Sequence, residues 1–301
     1  MRSHRPRRLI VAALSALPVM LAISACGSTT AGKEHRATRT AYEPALHNAL
    51  PAAVRASGVL RIATDASYAP AESFGADGRT IIGFEPDLGA ALGHVLGVRV
   101  RFVNTDFSKV LGEVAAHRID LAMSAITDTP ERERDVDFVN YFSAGTAIVV
   151  QRGNPAGISD LAGLCGHTVA VEKSTTQVDL LARSQKQCLG RPVRVRTYDT
   201  NADALLQLRT GRASAVLNDY PPAAALATDT RTRGYYQLAS TAQYEPGLYG
   251  IAVAKDQPQL RNTLQAALVR VIHSGEYRGV LHHWGVTDGA ISTPSVNGGG
   301  T

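Results

Sequence analysis

The feature that most constrains the fold is an alternation of strand-like and helix-like segments that begins near Gly58. The apolar segment VLRIATD is followed by GFEPDLGAALGHVLG, which places Leu88, Leu92 and Val95 on one helical face and Pro86 in the first turn. Next come an alternating segment, an amphipathic one and a buried run, VRVRFVN, FSKVLGEVAAHR and IDLAMSAI. This β-α-β-α-β order predicts a mostly parallel sheet with right-handed crossovers.

The same order begins again at about residue 146. Four segments are typical of strands, TAIVVQR, HTVAVE, VRVRTYD and ASAVLND, and two lie between them with helical spacing, TQVDLLARSQKQC and NADALLQLRTGR. The strand-like YGIAVAKD and the long helical QLRNTLQAALVRVIHSGEYRGVLHHWG follow. Two α/β lobes of about a hundred residues each fit this pattern better than one large sheet.

The N-terminus has a different character. Four arginines precede an apolar run from Leu9 to Ile23, which ends in small residues before Cys26. This layout predicts a signal peptide over residues 1–25, because the run is shorter than the roughly 20 residues that a membrane-spanning helix needs. The Cys after ISA resembles a lipoprotein attachment site, followed by a tether over 26–56 with one short helix. The alternative is a plain secreted protein with a free Cys26.

Charge gives no evidence for a nucleic-acid partner. The sequence pI is about 9.2, but four of the 31 basic residues lie in the predicted signal peptide, which contains no Asp or Glu. The remaining 27 basic side chains face 26 acidic ones, so the protein after cleavage is nearly neutral.

The two remaining cysteines, Cys165 and Cys188, are an even number in a chain predicted to be exported, where disulfides form and persist. We therefore expect a disulfide between them, contributing about 3 kcal/mol by restricting the unfolded chain. The alternative is two buried thiols. No CxxC or Cys-His spacing indicates catalysis.

Five segments together resemble the family 3 extracellular solute-binding proteins of amino-acid ABC importers: RIATDASYAPAES, GFEPDLGAAL, SAITDTPERERDVDF, VEKSTTQ and GRASAVLND. The resemblance extends from about Gly58 to Val286, and the cysteine pair, the tail SVNG and the high Ala and Arg content resemble its actinobacterial branch. It implies an α/β, two-lobed, type II periplasmic-binding-protein-like fold. It also implies a monomer that binds one amino acid or related zwitterion and delivers it to a membrane permease with its ATPase, on the outer face of the cell membrane.

The resemblance also implies domain boundaries. Residues 57–143 plus 247–290 form the first lobe, residues 144–246 form the second, and 291–301 are a flexible tail. The two crossover segments of the hinge fall near Ser143 to Thr146 and Gln243 to Leu248.

The stretch SAITDTPERERDVDF carries the predicted carboxylate site. If a helix begins near Pro130, Ser124 and Thr127 lie at the carboxyl end of the preceding strand, where open α/β sheets bind ligands. The Arg132 guanidinium matches a carboxylate, and the Thr127 hydroxyl offers a further donor. On sequence alone, a single arginine within ERERD favours a solvated helix face, and the resemblance reverses that interpretation. The carboxylate-binding arginine of the family falls on Arg132 and not on Arg134.

The remaining predicted contacts come from the resemblance. Asp219 matches the acid that pairs with the ligand ammonium, its alternative being a helix N-cap before Pro221. Three further ligand contacts are expected from Thr176 at a helix start and from the aromatic walls Tyr68 and Phe107. Asp65 matches a family position that contacts the ligand side chain and favours an amide or cation there, with Glu72 nearby. The sequence departs from the family at Ala71, where Phe is frequent, and at Ser174, where Gly is.

Enzymatic alternatives have little support in the motifs. GxSxG, P-loop, GxGxxG and HExxH patterns are missing, and His282 and His283 have no acidic or Cys partners at metal-ligand spacing, so we expect neither metal nor cofactor. Some relatives on this fold are dehydratases of cyclic amino-acid precursors, and a ligand-sensing lipoprotein without transport is a further alternative.

Overall fold

The computed structural model describes residues 39–299 of the chain. The predicted signal peptide and the predicted lipid attachment at Cys26 lie outside the described residues. Within residues 39–299, no helix has both the length and the apolar character needed to cross a membrane.

The described residues contain nine α-helices and twelve β-strands. The helices are α1 Pro44–Ala49, α2 Ala52–Ser57, α3 Phe84–Leu96, α4 Phe107–Ala115, α5 Thr176–Ser184, α6 Asn201–Arg209, α7 Tyr220–Thr228, α8 Pro258–His273 and α9 Glu276–His283. The strands are β1 Val59–Thr64, β2 Ser67–Tyr68, β3 Glu72–Phe74, β4 Ile81–Ile82, β5 Arg99–Asn104, β6 Leu121–Ala122, β7 Val136–Gln151, β8 Thr168–Glu172, β9 Arg194–Tyr198, β10 Ala215–Asp219, β11 Tyr236–Leu238 and β12 Tyr244–Ala254.

The main sheet has the order β5-β1-β6-β12-β7-β10-β8-β9, with β11 beside β7, and β2, β3 and β4 form a small second sheet. Strand β1 is parallel to β5 and β6, and β8 is parallel to β9 and β10, as the two alternating runs predict. The long strands β7 and β12 lie in the middle and are antiparallel to each other. They connect the two parallel groups.

The buried apolar side chains divide at the same place. Two clusters are built only from buried residues of 50–144 and 249–286, and we call them the first core. Two others are built only from buried residues of 147–236, and we call them the second core. Between the cores β7 and β12 pass side by side, and the Gly145 N–H donates to Gln243 Oε1 at 3.0 Å.

Helix α3 shows why its sequence begins with Gly-Phe. A Cβ at Gly83 would lie 1.9 Å from the backbone oxygen of Ala71, so only glycine permits this approach of α3 to the chain before β3. The helix ends at Gly97, whose φ of 63° is the left-handed conformation typical of a glycine after a helix.

Two predicted elements differ from the structure near the site. Of the predicted strand IDLAMSAI, only Leu121–Ala122 pairs in the sheet. A single 3-10 turn, Arg132–Arg134, replaces the helix predicted from Pro130. The reason is space, because β7 begins at Val136 and leaves too few residues for a helix.

The predicted tether over 26–56 is packed in its described part. The one expected helix is two, α1 and α2, separated at Leu50 and Pro51. Leu50 is fully buried in the first core, and the Gln259 side chain donates to the Ala49 carbonyl at 2.8 Å. Residues 44–57, where the sequence predicts one short helix, therefore form two short helices that pack on the first core.

The predicted flexible tail over 291–301 does not fit the contacts of residues 291–299 either. The Asn297 side chain accepts from the Phe138 N–H at 2.8 Å and donates to Asp137 at 3.1 Å. The Asn140 N–H donates to the Ser295 carbonyl and the Asn297 N–H to the Phe138 carbonyl. The first half of β7 pairs with β12 on one side, whereas β10 begins to pair only at Thr146, so the tail satisfies backbone groups on the other side.

Cys165 and Cys188 form the predicted disulfide, with Cα atoms 5.2 Å apart. The bond joins the chain before β8 to the end of the segment after α5, at the second core.

Candidate ligand-binding site

One cavity between the two cores brings together all eight residues predicted as ligand contacts: Asp65, Tyr68, Phe107, Ser124, Thr127, Arg132, Thr176 and Asp219. Six others complete its lining: Ser67, Glu72, Ala125, Glu172, Thr175 and Gln177. The carboxyl ends of β1, β8 and β10 meet here, which is where open α/β sheets place their ligands.

Arg132 reaches the cavity from the 3-10 turn and is held by both sides. Its Nη1 donates to the Thr127 carbonyl at 2.7 Å, and its Nη2 donates to the Ser174 carbonyl at 2.9 Å. Its guanidinium carbon lies 5.7 Å from the centre of the Phe107 ring. Burial lowers the pKa of Arg132, but a guanidinium stays charged in proteins. A solvated helix face does not describe this side chain.

Asp219 is the last residue of β10 and accepts hydrogen bonds from two side chains. Gln177 Nε2 donates to Oδ1 at 2.7 Å, and the Tyr249 hydroxyl donates to Oδ2 at 2.7 Å. The Asp219 N–H donates to the Tyr68 hydroxyl at 2.7 Å. Asp219 occupies the N-cap position of α7, but its side chain makes no capping hydrogen bond to that helix. Burial raises the pKa of Asp219 to about 6, which leaves the carboxylate mostly ionised at neutral pH.

The start of α5 forms the wall next to Arg132. Thr176 is the first residue of this helix, and the Thr175 hydroxyl donates to the Glu172 carbonyl at 2.8 Å. Ser174 has a φ of 65°, the left-handed region that favours glycine, which gives a physical reason for Gly being frequent here in the family. This turn points the Ser174 carbonyl at Arg132.

Ser124 lines the cavity, but its hydroxyl is already engaged. It accepts from the Asp65 N–H at 2.9 Å and donates to Glu72 Oε1 at 3.0 Å. Behind Glu72, Glu85 accepts from the Ala125 N–H at 2.7 Å and from the Tyr141 hydroxyl. Burial raises the pKa of both Glu72 and Glu85, and their carboxyl groups contact each other.

Acidic groups surround the end of the cavity away from Arg132. Asp65 Oδ2 accepts from the Phe107 N–H at 3.1 Å. Glu172 ends β8 and is buried, and burial together with the neighbouring Asp65 carboxyl raises the pKa of Glu172 to about 8. No metal site accompanies these acids: nowhere in residues 39–299 are three or more His, Cys, Asp or Glu side chains grouped so as to hold an ion.

Residues 60–287 match the family described as bacterial extracellular solute-binding proteins, family 3. The chain belongs to this family. The arginine-binding protein ArgT of Corynebacterium glutamicum is 27% identical over 305 residues, which cover 97% of this chain and 96% of that protein. The L-arginine-binding protein of Pseudomonas aeruginosa is 30% identical over 227 residues, covering 73% of this chain and 85% of that protein.

Solved structures give the same result for the fold. An ancestral arginine-binding protein bound to arginine has a TM-score of 0.69 and 31% identity, covering 75% of this chain and 98% of that one. An ancestral amino-acid-binding protein described as a precursor of cyclohexadienyl dehydratase has the same TM-score and 30% identity, with 77% and 97% coverage. The two cores are therefore the two lobes of a type II periplasmic-binding-protein fold.

Membership in the family confirms the predicted class of function. The protein is an extracytoplasmic substrate-binding component of an ABC importer for amino acids, and the dehydratase alternative is not favoured, since the relatives named above are binding proteins.

Sequence reasoning did not single out Glu172 and Gln177, which line the cavity, or Tyr249, which donates to Asp219. Glu172 carried a usable signal, because it ends a buried strand as Asp219 does. Gln177 lies one residue into a helix, and Tyr249 is a fully buried aromatic in a strand, so both match ordinary core positions.

Proposed function

We propose that the protein is the lipid-anchored receptor for an amino acid of the arginine class, held by Arg132 and Asp219 when the lobes close. The observation that carries this proposal is the presence of a buried acidic side chain, Asp219, and a partly buried basic one, Arg132, in one cavity between the lobes. The similarity to two arginine-binding proteins supports arginine as the first ligand to test.

In this proposal the ligand carboxylate binds the Arg132 fork. Two of the five guanidinium N–H donors point to the Thr127 and Ser174 carbonyls, which orients the group. The Thr127 hydroxyl and the first turn of α5 at Thr176 add donors for a carboxylate. Tyr68 and Phe107 form apolar walls.

The ligand ammonium binds Asp219. Gln177 and Tyr249 donate to this carboxylate and hold its two oxygens in place. Charge-assisted hydrogen bonds of an ammonium to a buried carboxylate are stronger than neutral ones, so Asp219 fixes the α-amino end. No step in this binding mode makes or breaks a covalent bond, and we propose no enzymatic activity and no cofactor.

In this proposal, closure of the two lobes over the ligand is the signal that the permease recognises. We place the first lobe at residues 57–143 plus 247–290, the second at 144–246, and the hinge at the crossovers near 143–146 and 243–248, which the division of the two cores supports. Hydrogen bonds from Arg132 to Ser174 and from Tyr249 to Asp219 join the lobes, so the arrangement described is a closed one. A ligand that bridges the lobes selects this state, which a permease and its ATPase then recognise.

The test is isothermal titration of the purified monomeric protein with the twenty amino acids and ornithine. We expect a basic amino acid to bind, and Arg132→Ala to weaken binding roughly 100-fold, because it removes charge-assisted hydrogen bonds of about 2–3 kcal/mol. Arg134→Ala is the matched control, since Arg134 is exposed and pairs only with Glu131 at 3.3 Å among the described ion pairs. Absence of amino-acid binding, or an Arg132→Ala protein that binds like wild type, contradicts the proposal.

The anchor has its own test. Attachment through Cys26 predicts that Cys26→Ala releases the protein from the membrane fraction into the medium. Retention of this variant on the membrane excludes lipidation at Cys26 as the anchor.

A further inference from the structure

Two carboxyl groups meet across the cleft at the end of the cavity opposite Arg132. Glu172 comes from the second lobe, at the end of β8, and Asp65 comes from the first lobe, directly after β1. They are 8% and 7% exposed, and they contact each other closely enough to share a proton. Glu172 Oε1 is buried without a hydrogen-bond partner in the described structure.

The surroundings of Glu172 do not neutralise it. The Asn201 backbone and Lys173, next to Glu172 in sequence, lower the pKa of Glu172 but do not offset the effect of burial and of Asp65. The Lys173 ammonium, however, is turned outward to Asp199 at 2.6 Å, and both side chains are exposed. Tyr68 lies near Glu172 but carries no charge, since burial raises its pKa well above the ordinary value.

The charges in the cavity do not balance with an ordinary zwitterion. Its lining contains four acidic residues, Asp65, Glu72, Glu172 and Asp219, and one basic residue, Arg132. The carboxylate and ammonium of a bound amino acid neutralise Arg132 and Asp219. Glu72 shares its environment with Glu85, and this buried pair retains a proton. Asp65 and Glu172 remain, two carboxyl groups in contact with each other and with no basic side chain of the cavity left to pair with them.

We propose that the Asp65–Glu172 pair is a cation gate, in which a positively charged ligand side chain enters between the two carboxylates and replaces the proton that they share in the closed cleft. This inference rests on the proposed function, because it assigns the side-chain end of the same cavity. A neutral side chain leaves the pair either protonated or repelling across the cleft, so closure over it is less stable. Glu172 is thereby a determinant of specificity that acts between the lobes.

The test compares L-arginine with L-citrulline, which has nearly the same shape and a neutral ureido group, by titration calorimetry at pH 7. We expect the wild type to prefer arginine roughly 100-fold, and Glu172→Gln to reduce the preference at least tenfold by weakening arginine and strengthening citrulline. Asp65→Asn approaches the pair from the other lobe and has the same expected effect. Asp256→Asn is the matched control, because it removes one exposed carboxylate outside the cavity and keeps the preference.

The outcomes separate the inference from the proposed function. If Glu172→Gln and Asp65→Asn weaken both ligands equally, the acids have only a structural role and the inference is overturned. The inference is also overturned if the wild type binds citrulline as tightly as arginine. If Arg132→Ala abolishes binding of both ligands in that case, the proposed function still stands. If the wild type binds no amino acid, the proposed function fails. Melting curves of each variant identify a folding defect. If one of Glu172→Gln and Asp65→Asn does not fold, the ligand preference of the other tests the inference.

Discussion

Arginine affinity is expected to depend steeply on pH, and Glu172 is the cause. The pKa of Glu172 is raised to about 8 in the closed cleft, so at pH 7 roughly nine tenths of the molecules carry a proton there. A cationic side chain requires the ionised form. Binding therefore releases about 0.9 proton at pH 7, and affinity falls as the pH falls through 8.

The size of the effect follows from the pKa. Between pH 8 and pH 6 the ionised fraction of Glu172 falls from about one half to about one hundredth, which weakens arginine binding roughly 50-fold. Asp219, with its pKa near 6, adds about a further factor of two by losing half of its charge at pH 6. Citrulline has no cationic side chain, so its affinity is expected to change only by the factor of two that comes from Asp219.

The sign for the ligand-free protein is opposite. Glu172 binds a proton more tightly when folded than when unfolded, so between about pH 4.5 and pH 8 the folded state holds more protons and stability decreases as pH rises. Wild type is expected to lose about 4 kcal/mol relative to Glu172→Gln across this window.

The assay is titration calorimetry at pH 6, 7 and 8 in two buffers of different ionisation enthalpy, which gives affinity and proton release together. Glu172→Gln is expected to show only the twofold pH effect of Asp219 and almost no proton release at pH 7. An arginine affinity that stays within a factor of three between pH 6 and pH 8 in the wild type refutes the reasoning, as does a pH dependence unchanged in Glu172→Gln.

Three further predictions concern the Asp219 support, the disulfide and the tail. Tyr249→Phe removes a hydrogen-bond donor to ionised Asp219, and a resulting rise of about one unit in the pKa of Asp219 weakens arginine binding about fivefold at pH 6 and little at pH 8. The control is Tyr236→Phe, because the Tyr236 hydroxyl donates to Leu205 within the second lobe, and equal effects of the two variants contradict this role of Tyr249. Reduction of Cys165–Cys188, 23 residues apart, lowers the free energy of unfolding in urea by about 3 kcal/mol, whereas a Cys165→Ser, Cys188→Ser double variant is insensitive to reductant. Asn297→Ala lowers the free energy of unfolding by about 1–3 kcal/mol, because the Phe138 N–H loses its acceptor. Ser292→Ala, at an exposed residue, changes it by less than about 0.5 kcal/mol, and equal losses in the two variants contradict a tail packed on β7.

Most of the fold was predictable because buried apolar residues recur in the sequence with the period of a helix or a strand. Helices α3 to α6 and strands β1, β5, β8 to β10 appear where their apolar spacing predicts them. The errors occur where a neighbouring segment decides the conformation. Residues 291–299 have no periodic pattern and are ordered by free backbone groups of β7, and the short turn at Arg132 is limited by the strand that follows.

The candidate site was predictable to the extent that motifs mark strand ends. Asp65, Arg132 and Asp219 stand at such motifs and line one cavity, although their roles toward a ligand stay predictions. Glu172 also ends a buried strand, but its pairing with Asp65, like that of Tyr249 with Asp219, joins residues of opposite lobes, which lie about a hundred and about thirty positions apart in the chain, respectively. A single sequence read along its length carries no signal for such pairs.

Some contacts between the lobes stabilise the closed cleft, and one opposes its closure. Arg132 to Ser174, Tyr249 to Asp219 and the Asp219 N–H to Tyr68 are hydrogen bonds between the lobes that need no ligand and stabilise closure. The Asp65–Glu172 contact opposes closure whenever both carboxyls are ionised. Since a ligand shifts an equilibrium only by its differential affinity for the two states, the largest shift comes from a molecule that removes the opposing contact while adding to the favourable ones. A cationic amino acid does both, so the empty protein is expected to be more open at pH 8 than at pH 5, and arginine to abolish that difference.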